Sequence, residues 1–318
     1  MMIAFLIHGV QTLATTSSIT VGQWQFTAEH EGPETGTPVI LLHGYPNSRH
    51  SWTHLLGPLG AGGFRAVAPD QRGYSPGARP VGVENYHTDA IVSDVVGLAD
   101  ALGARRFHLV GHDWGGQIAW LTAIRHPERL HSLTVLSRPH PGAFAEAIKR
   151  DPKQAHRSRH HKAFQDPRMA ARLLVDDAKA VRNTLCFENA DGLFGREGED
   201  APAPKRRMSD EMAARHLSVL GSHAAMDAAL NWYRAAFSGG STLARGDTPS
   251  VQVPTLYFWG DEDMSVGREA AEGTVRHVDA AYEFVPINGA GHFLAEEVPE
   301  QMLPALLSHL ARNSPGAS

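Results

Sequence analysis

One cysteine, Cys186, occurs among 318 residues. An internal disulfide framework is therefore excluded, and the composition suits a reducing, cytoplasmic compartment. Cys186 itself reads as a small buried hydrophobe rather than a reactive thiol. No stretch approaches the roughly 18 consecutive apolar residues of a membrane helix. The apolar start Met1-Met2-Ile3-Ala4-Phe5-Leu6-Ile7 has no preceding Lys or Arg and is broken by His8, which makes it a poor secretory signal. Residues 1–18 are expected to form a loose extension. Positive charge is not in excess: 29 Lys and Arg stand against 34 Asp and Glu, a net charge of −5. That balance argues against nucleic acid or an anionic membrane as a partner. There is no internal repeat. The 42% of hydrophobic residues suffices for the core of one large domain or two smaller ones.

From residue 23 to about 137 the pattern alternates strands and helices. Gln23–Ala28 alternates apolar and polar residues and predicts a leading antiparallel strand. Pro38–Leu42, Phe64–Ala68 and Phe107–Val110 are continuous apolar runs, expected of strands buried on both faces. Asp89–Leu102 carries Ile91, Val95, Leu98 and Leu102 at helical spacing. Ile118–Ile124 predicts another helix, ending near His126-Pro127, and Leu130–Leu136 another strand. This alternation predicts an α/β fold with a mostly parallel sheet and helices on both faces. From about 139 to 245 there are helical stretches (Gln165–Leu174, Met212–Leu220, Ala224–Ala236) and no convincing buried strand. Gly195–Arg207, rich in charge, Pro and Gly, reads as a mobile loop. The strand pattern resumes at Thr255–Trp259 and Tyr282–Val285, and the helix Pro299–Leu310 closes the chain. The expected organisation is a core of residues 1–138 and 246–318 with a helical cap, 139–245, inserted over the strand ends. The site would lie in the crevice between them.

The chemistry is concentrated at Gly111-His112-Asp113-Trp114-Gly115-Gly116, after the run Phe107–Val110. This has the frame of a nucleophile elbow, G-x-S-x-G, with aspartate in place of serine. A carboxylate accepts acyl groups poorly but displaces well at a saturated carbon, giving an ester whose carbonyl belongs to the enzyme. The elbow therefore predicts an electrophilic sp3 carbon, in an epoxide or a carbon–halogen bond. Turnover needs a base to activate water and an acid to orient the base. His292, in Asn288-Gly289-Ala290-Gly291-His292-Phe293, is the expected base. Trp259-Gly260-Asp261-Glu262-Asp263 offers three carboxylates, among which composition does not choose. Leu136-Ser137-Arg138-Pro139, at an earlier strand end, offers none. Backbone N–H groups of Tyr45, in His43-Gly44-Tyr45-Pro46, and of Trp114 are placed to cradle an oxyanion. Tyr45-Pro46 is a candidate cis peptide.

These motifs, with Asp70-Gln71-Arg72-Gly73-Tyr74-Ser75, resemble the α/β-hydrolases of the epoxide hydrolase and haloalkane dehalogenase group across roughly residues 20–312. The resemblance implies an eight-stranded α/β-hydrolase fold, a cofactor-free reaction and, from Gly260-x-x-Asp263, that Asp263 is the acid. Haloalkane dehalogenases hold the halide with N–H donors. Trp114 matches one, but Tyr45 stands where an asparagine is usual, and the cap's only tryptophan is Trp232. Haloacetate dehalogenases carry an arginine after the nucleophile, where this chain has Trp114. Epoxide hydrolases place O–H donors over the epoxide oxygen, usually two tyrosines. Leu230-Asn231-Trp232-Tyr233-Arg234 resembles the second tyrosine motif. In Arg157-Ser158-Arg159-His160-His161-Lys162 a histidine stands at the first, so the implied ring-opening pair is His160 with Tyr233, His161 being the rival. A metal site from His156, His160 and His161 is set aside, since the chemistry requires none. His161, Phe187 and Phe293 are candidate pocket residues, as are Leu193 and Phe194. The expected activity is hydrolysis of a small-molecule epoxide by water, with dehalogenation and non-catalytic ligand binding as alternatives. A homodimer is left open.

Overall fold

A computed structural model describes residues 14–188, 205–238 and 248–316. The strands are β1 (Thr15–Val21), β2 (Trp24–Glu31), β3 (Pro38–Leu42), β4 (Arg65–Pro69), β5 (Phe107–His112), β6 (Leu130–Leu136), a two-residue ribbon of β7 (Phe187–Glu188) and β8 (Lys205–Arg206), then β9 (Thr255–Gly260) and β10 (Tyr282–Ile287). Helices α1 (Thr53–Ala61), α2 (Thr88–Ala101) and α3 (Trp114–Arg125) belong to the first half. Between β6 and β9 come α4 (Pro141–Arg150), α5 (Pro152–Arg157), α6 (His160–Ala163), α7 (Met169–Leu173), α8 (Val175–Cys186), α9 (Asp210–Leu220) and α10 (His223–Phe237). The chain closes with α11 (Arg268–Gly273), α12 (Leu294–Glu297) and α13 (Pro299–Arg312).

Eight strands form one sheet in the order β1-β2-β4-β3-β5-β6-β9-β10. Pairs β1/β2 and β2/β4 are antiparallel, and the others are parallel. The continuous apolar runs follow from burial on both faces. In β3, Ile40 and Leu42 pack into one core cluster with Ile91, Val95 and Leu98 of α2 and Ile118 of α3. Val39 and Leu41, pointing the other way, join Leu55 and Leu59 of α1 and Leu306 of α13. Strand β4 lies on one side of β3 and β5 on the other. The loops leaving the carboxyl ends of β3 and β5 thus separate at a reversal of strand order, where such sheets open a crevice.

Two local expectations change. Residues 15–18 are not a loose extension, because Thr15–Val21 is a full edge strand paired residue by residue with β2. Its Thr and Ile content favours a strand, while its Ser and Thr hydroxyls hide it from a hydrophobicity pattern. The helix expected over Gln165–Leu174 begins only at Met169. Pro167 disfavours helical backbone at Asp166. Of the expected loop Gly195–Arg207, residues 195–204 lie outside the described residues, as do Leu193 and Phe194. Among the described residues no helix is long and apolar enough to cross a membrane.

Candidate active site

Asp113 leaves the end of β5 with φ 50° and ψ −117°, immediately before the first residue of α3. The turn is possible because two neighbours lack a side chain. A Cβ on Gly115 would sit 2.1 Å from the Leu42 carbonyl oxygen, and one on Gly44 would sit 2.4 Å from the Asp113 Cβ. The elbow and the loop after β3 therefore touch backbone to backbone. The Tyr45 N–H donates to Asp113 Oδ1 at 3.0 Å. The Tyr45–Pro46 peptide is cis. Trp114 opens α3, so its N–H has no intrahelical acceptor. The loop after β3 is clamped from outside by the second motif. The Gln71 N–H donates to His43 Nε2 at 3.2 Å, and the Gln71 amide donates to the His43 carbonyl at 2.6 Å.

His292 Nδ1 donates to Asp263, 2.9 Å from Oδ2 and 3.0 Å from Oδ1. That carboxylate also accepts the Ser265 and Val266 N–H groups at 2.7 and 2.9 Å. The other ring nitrogen, Nε2, stands 3.7 Å from Asp113 Oδ2. Of the three carboxylates after β9, the structure turns Asp263 to His292. Asp261 accepts the Gly289 N–H at 2.7 Å, as a turn residue, and Glu262 pairs with Lys205 and Arg207. Burial opposes charge on His292, but the Asp263 carboxylate with its hydrogen bond and the nearby Asp113 charge outweigh it and lift the imidazole to about 10. Burial likewise opposes the Asp113 carboxylate, yet the His292 charge beside it holds it below the usual carboxylate range. The resting site thus holds an imidazolium between two carboxylates.

Sequence reasoning missed how the His292 loop is held. Glu297 accepts the N–H groups on both sides of His292, from Gly291 at 2.8 Å and from Phe293 at 2.9 Å. The His112 Nε2–H donates to the His292 carbonyl at 2.9 Å. Arg207, from beyond the helical insertion's ribbon, lies 3.4 Å from Glu297 and donates to the Gly289 carbonyl at 2.7 Å. The only sequence signal was position: a Glu five residues after the histidine, and the residue before the nucleophile.

Helices α4, α6 and α10 bring the opposite wall. A narrow cavity is lined by Asp113, His292 and Phe293 on one side and by His160, His161 and Tyr233 on the other. Phe187, expected at this pocket, instead lines a neighbouring hollow on the far side of His292 with Thr184 and Met264. There the Arg206 guanidinium lies over its ring, 4.6 Å from the centroid. Tyr233 is buried, and desolvation, then the Asp113 charge, push its hydroxyl well above the usual phenol range, so it stays protonated. Its ring packs edge-on to Trp114 at 5.0 Å and to Phe164 at 4.8 Å. His160 and His161 lie 5.8 and 5.3 Å from that ring, centroid to centroid. His160 Nδ1 donates to the Arg157 carbonyl at 3.1 Å. Burial pulls its pKa down to about 4, so it is a neutral ring with its proton on Nδ1. The Trp232 indole N–H is already bonded to the Arg72 carbonyl at 2.9 Å. The cavity also takes in Arg138, a buried residue that sequence reasoning weighed only for its lack of a carboxylate.

The α/β hydrolase fold model matches residues 37–299. Mouse Epoxide hydrolase 4 is 33% identical over 269 residues, 84% of this chain and 71% of the relative. The chain belongs to the epoxide hydrolase branch of the α/β-hydrolases. Epoxide hydrolase A of Mycobacterium tuberculosis is 32% identical, over 88% of this chain and 92% of its own length. The crystal structure of Epoxide Hydrolase A from Mycobacterium thermoresistibile superposes with a TM-score of 0.78 at 25% identity, covering 94% of this chain and 98% of that one.

Proposed function

We propose that the protein hydrolyses an epoxide to a vicinal diol through an ester on Asp113. Oδ1, bonded to the Tyr45 N–H, becomes the ester carbonyl oxygen, and Oδ2 is left to attack the epoxide carbon. Tyr233 donates its O–H to the departing oxygen, with His160 as the second cap group. Esterification removes the Asp113 charge and with it part of what keeps His292 protonated, so the imidazolium releases its proton to solvent, and solvent returns to Tyr233 the proton it gave to the departing oxygen. His292, oriented by Asp263, then takes a proton from water as the water attacks Cγ. The N–H groups of Tyr45 and Trp114 stabilise the oxyanion. Residues 139–245 act as the cap, and the hydrolytic step needs no cofactor. The lone buried Cys186 favours a cytoplasmic setting.

The observation that carries this reading is a hydroxyl kept protonated in the same cavity as a charged aspartate at an elbow. An alkoxide leaving group is strongly basic and needs such a donor. Dehalogenation needs N–H donors for a halide, and the Trp232 indole is committed to Arg72. Single-turnover hydrolysis in 18O-water, followed by mass spectrometry of the Asp113 peptide, tests the ester. Label in the Asp113 side chain is expected, and label only in the diol would sink the mechanism.

A further inference from the structure

Arg138 follows β6 and lines the cavity between core and helical insertion. It is only 8% exposed. A buried guanidinium ordinarily has a carboxylate partner. Among the described residues Arg138 has none within ion-pair distance. Its Nε and Nη2 both donate to one neutral acceptor, Gln117 Oε1, at 3.0 and 2.9 Å. Its plane rests on the Phe144 ring, 4.3 Å from the centroid, with the Trp114 ring at 5.8 Å. These contacts hold the guanidinium in place through its Nε side and its face. The end-on edge, one hydrogen of Nη1 and one of Nη2, keeps no acceptor among the described residues. That edge presents two parallel N–H groups, the geometry that matches a carboxylate.

Charge points the same way. The anion in the cavity that acts on Arg138 is Asp113. Its Oδ1 is already bonded to Tyr45 and its Oδ2 faces His292. Once Asp113 is an ester it is neutral, and Asp263 remains paired with His292. The Arg138 charge is then left without a counter-ion at the stage when the substrate is covalently held. We infer that Arg138 is an anion-binding subsite and that the substrate is an epoxide bearing a carboxylate. This rests on the reading of Asp113 as a nucleophile toward epoxides.

The test compares a terminal epoxide whose chain ends in a carboxylate with the same molecule ending in a neutral primary amide. For the full chain, kcat/KM should favour the carboxylate by about tenfold to a hundredfold, the range of a hydrogen bond to a charged group. The gain should appear mainly in KM. Arg138→Gln should bring that ratio toward one, and Arg138→Lys should keep part of it. Equal turnover of the two epoxides by the native chain overturns the subsite while leaving the epoxide reading intact. A ratio unchanged in Arg138→Gln also overturns it, and would place Arg138 with the departing oxygen or the fold. If neither epoxide turns over, the epoxide reading itself falls. Calorimetric binding of a saturated alkanoate against its amide then decides the subsite by itself: tighter binding of the alkanoate, lost in Arg138→Gln, supports it, and equal binding overturns it. Should Arg138→Gln fail to fold, the native chain's preference and the Arg138→Lys variant carry the same decision.

Discussion

The two walls of the cavity are held in different ways. On the core wall each group proposed to react is tied by a bond to or from the backbone. Asp113 takes the Tyr45 N–H, Asp263 takes two N–H groups, and the His292 loop is fixed at Gly291, His292 and Phe293 by Glu297 and His112. On the cap wall Tyr233 is held largely by rings. Phe164, Trp114, His161, Tyr45 and His160 surround it at centroid distances of 4.8 to 5.8 Å. Backbone bonds fix atoms to tenths of an ångström, whereas edge-on rings tolerate sliding. The core wall thus suits the step that needs a water held between His292 and Asp113. The cap wall suits a donor that must follow the epoxide oxygen as the ring opens.

Breaking the core wall should therefore stop the second chemical step and spare the first. His292→Gln removes the proposed base and should leave Asp113 able to attack. Ester hydrolysis should fall by about a hundredfold to ten-thousandfold, the usual contribution of a positioned base. Intact-mass spectrometry should then find the protein heavier by one substrate. Turnover by this variant without accumulated ester would remove His292 from its role. The pH dependence has a definite sign. The native imidazole is lifted to about 10 while Asp113 is charged. In the ester the Asp113 contribution is gone, so the group titrates lower. Hydrolysis of pre-formed ester should increase with pH, with a midpoint below about 10, and be lost as the pH falls.

Breaking the cap wall should stop the first step instead. Tyr233→Phe should lower the alkylation rate by about a hundredfold, with no ester accumulating. His160 should matter less at neutral pH. Its Nδ1 proton is engaged by the Arg157 carbonyl and its pKa lies near 4, so its other nitrogen donates only when the ring is protonated. The cost of His160→Phe should grow as the pH is lowered toward about 4, and stopped-flow alkylation rates measure it. A pH-independent cost as large as that of Tyr233→Phe would mean that the neutral ring carries its proton on the cavity side.

The same contrast explains what could be read from the chain. The core wall is written in contiguous motifs, because a strand end plus a tight turn fixes a side chain from a handful of neighbouring residues. Asp113, Tyr45 and His292 were legible from such strings, and the apolar runs of β3 and β5 placed them on a parallel sheet. Asp263 was not separable from Asp261 and Glu262 by composition, since the choice depends on which carboxylate the turn after β9 points inward. Glu297 and His112 were invisible because their function is to bond backbone. The cap wall joins α4 and α6 to α10, which lies far along the chain, so the meeting of His160 with Tyr233 and the position of Phe187 depended on tertiary packing. Edge strand β1 escaped notice because half of its surface faces solvent and selects hydroxyls.

The smallest effect tests whether the precision of the core wall carries a backbone cost. Asp113 has a positive φ of 50° with ψ −117°, a region that residues with a Cβ rarely adopt. Such conformations store on the order of 1–3 kcal/mol. Asp113→Ala and Asp113→Gly both remove the nucleophile and its pairing with His292, so both should be inactive, and they lose the same charge. The difference between them reports the backbone alone. At ordinary positions glycine is less stable than alanine by roughly 0.5–1 kcal/mol. Here the order should reverse, with the glycine variant more stable in urea unfolding by about 1–2 kcal/mol. A glycine variant less stable than the alanine variant would mean an unstrained elbow. The Tyr45, Glu297 and His112 bonds would then have to account for the fixed geometry without help from a locked turn, and the core wall would differ from the cap wall only in the kind of contact that holds it.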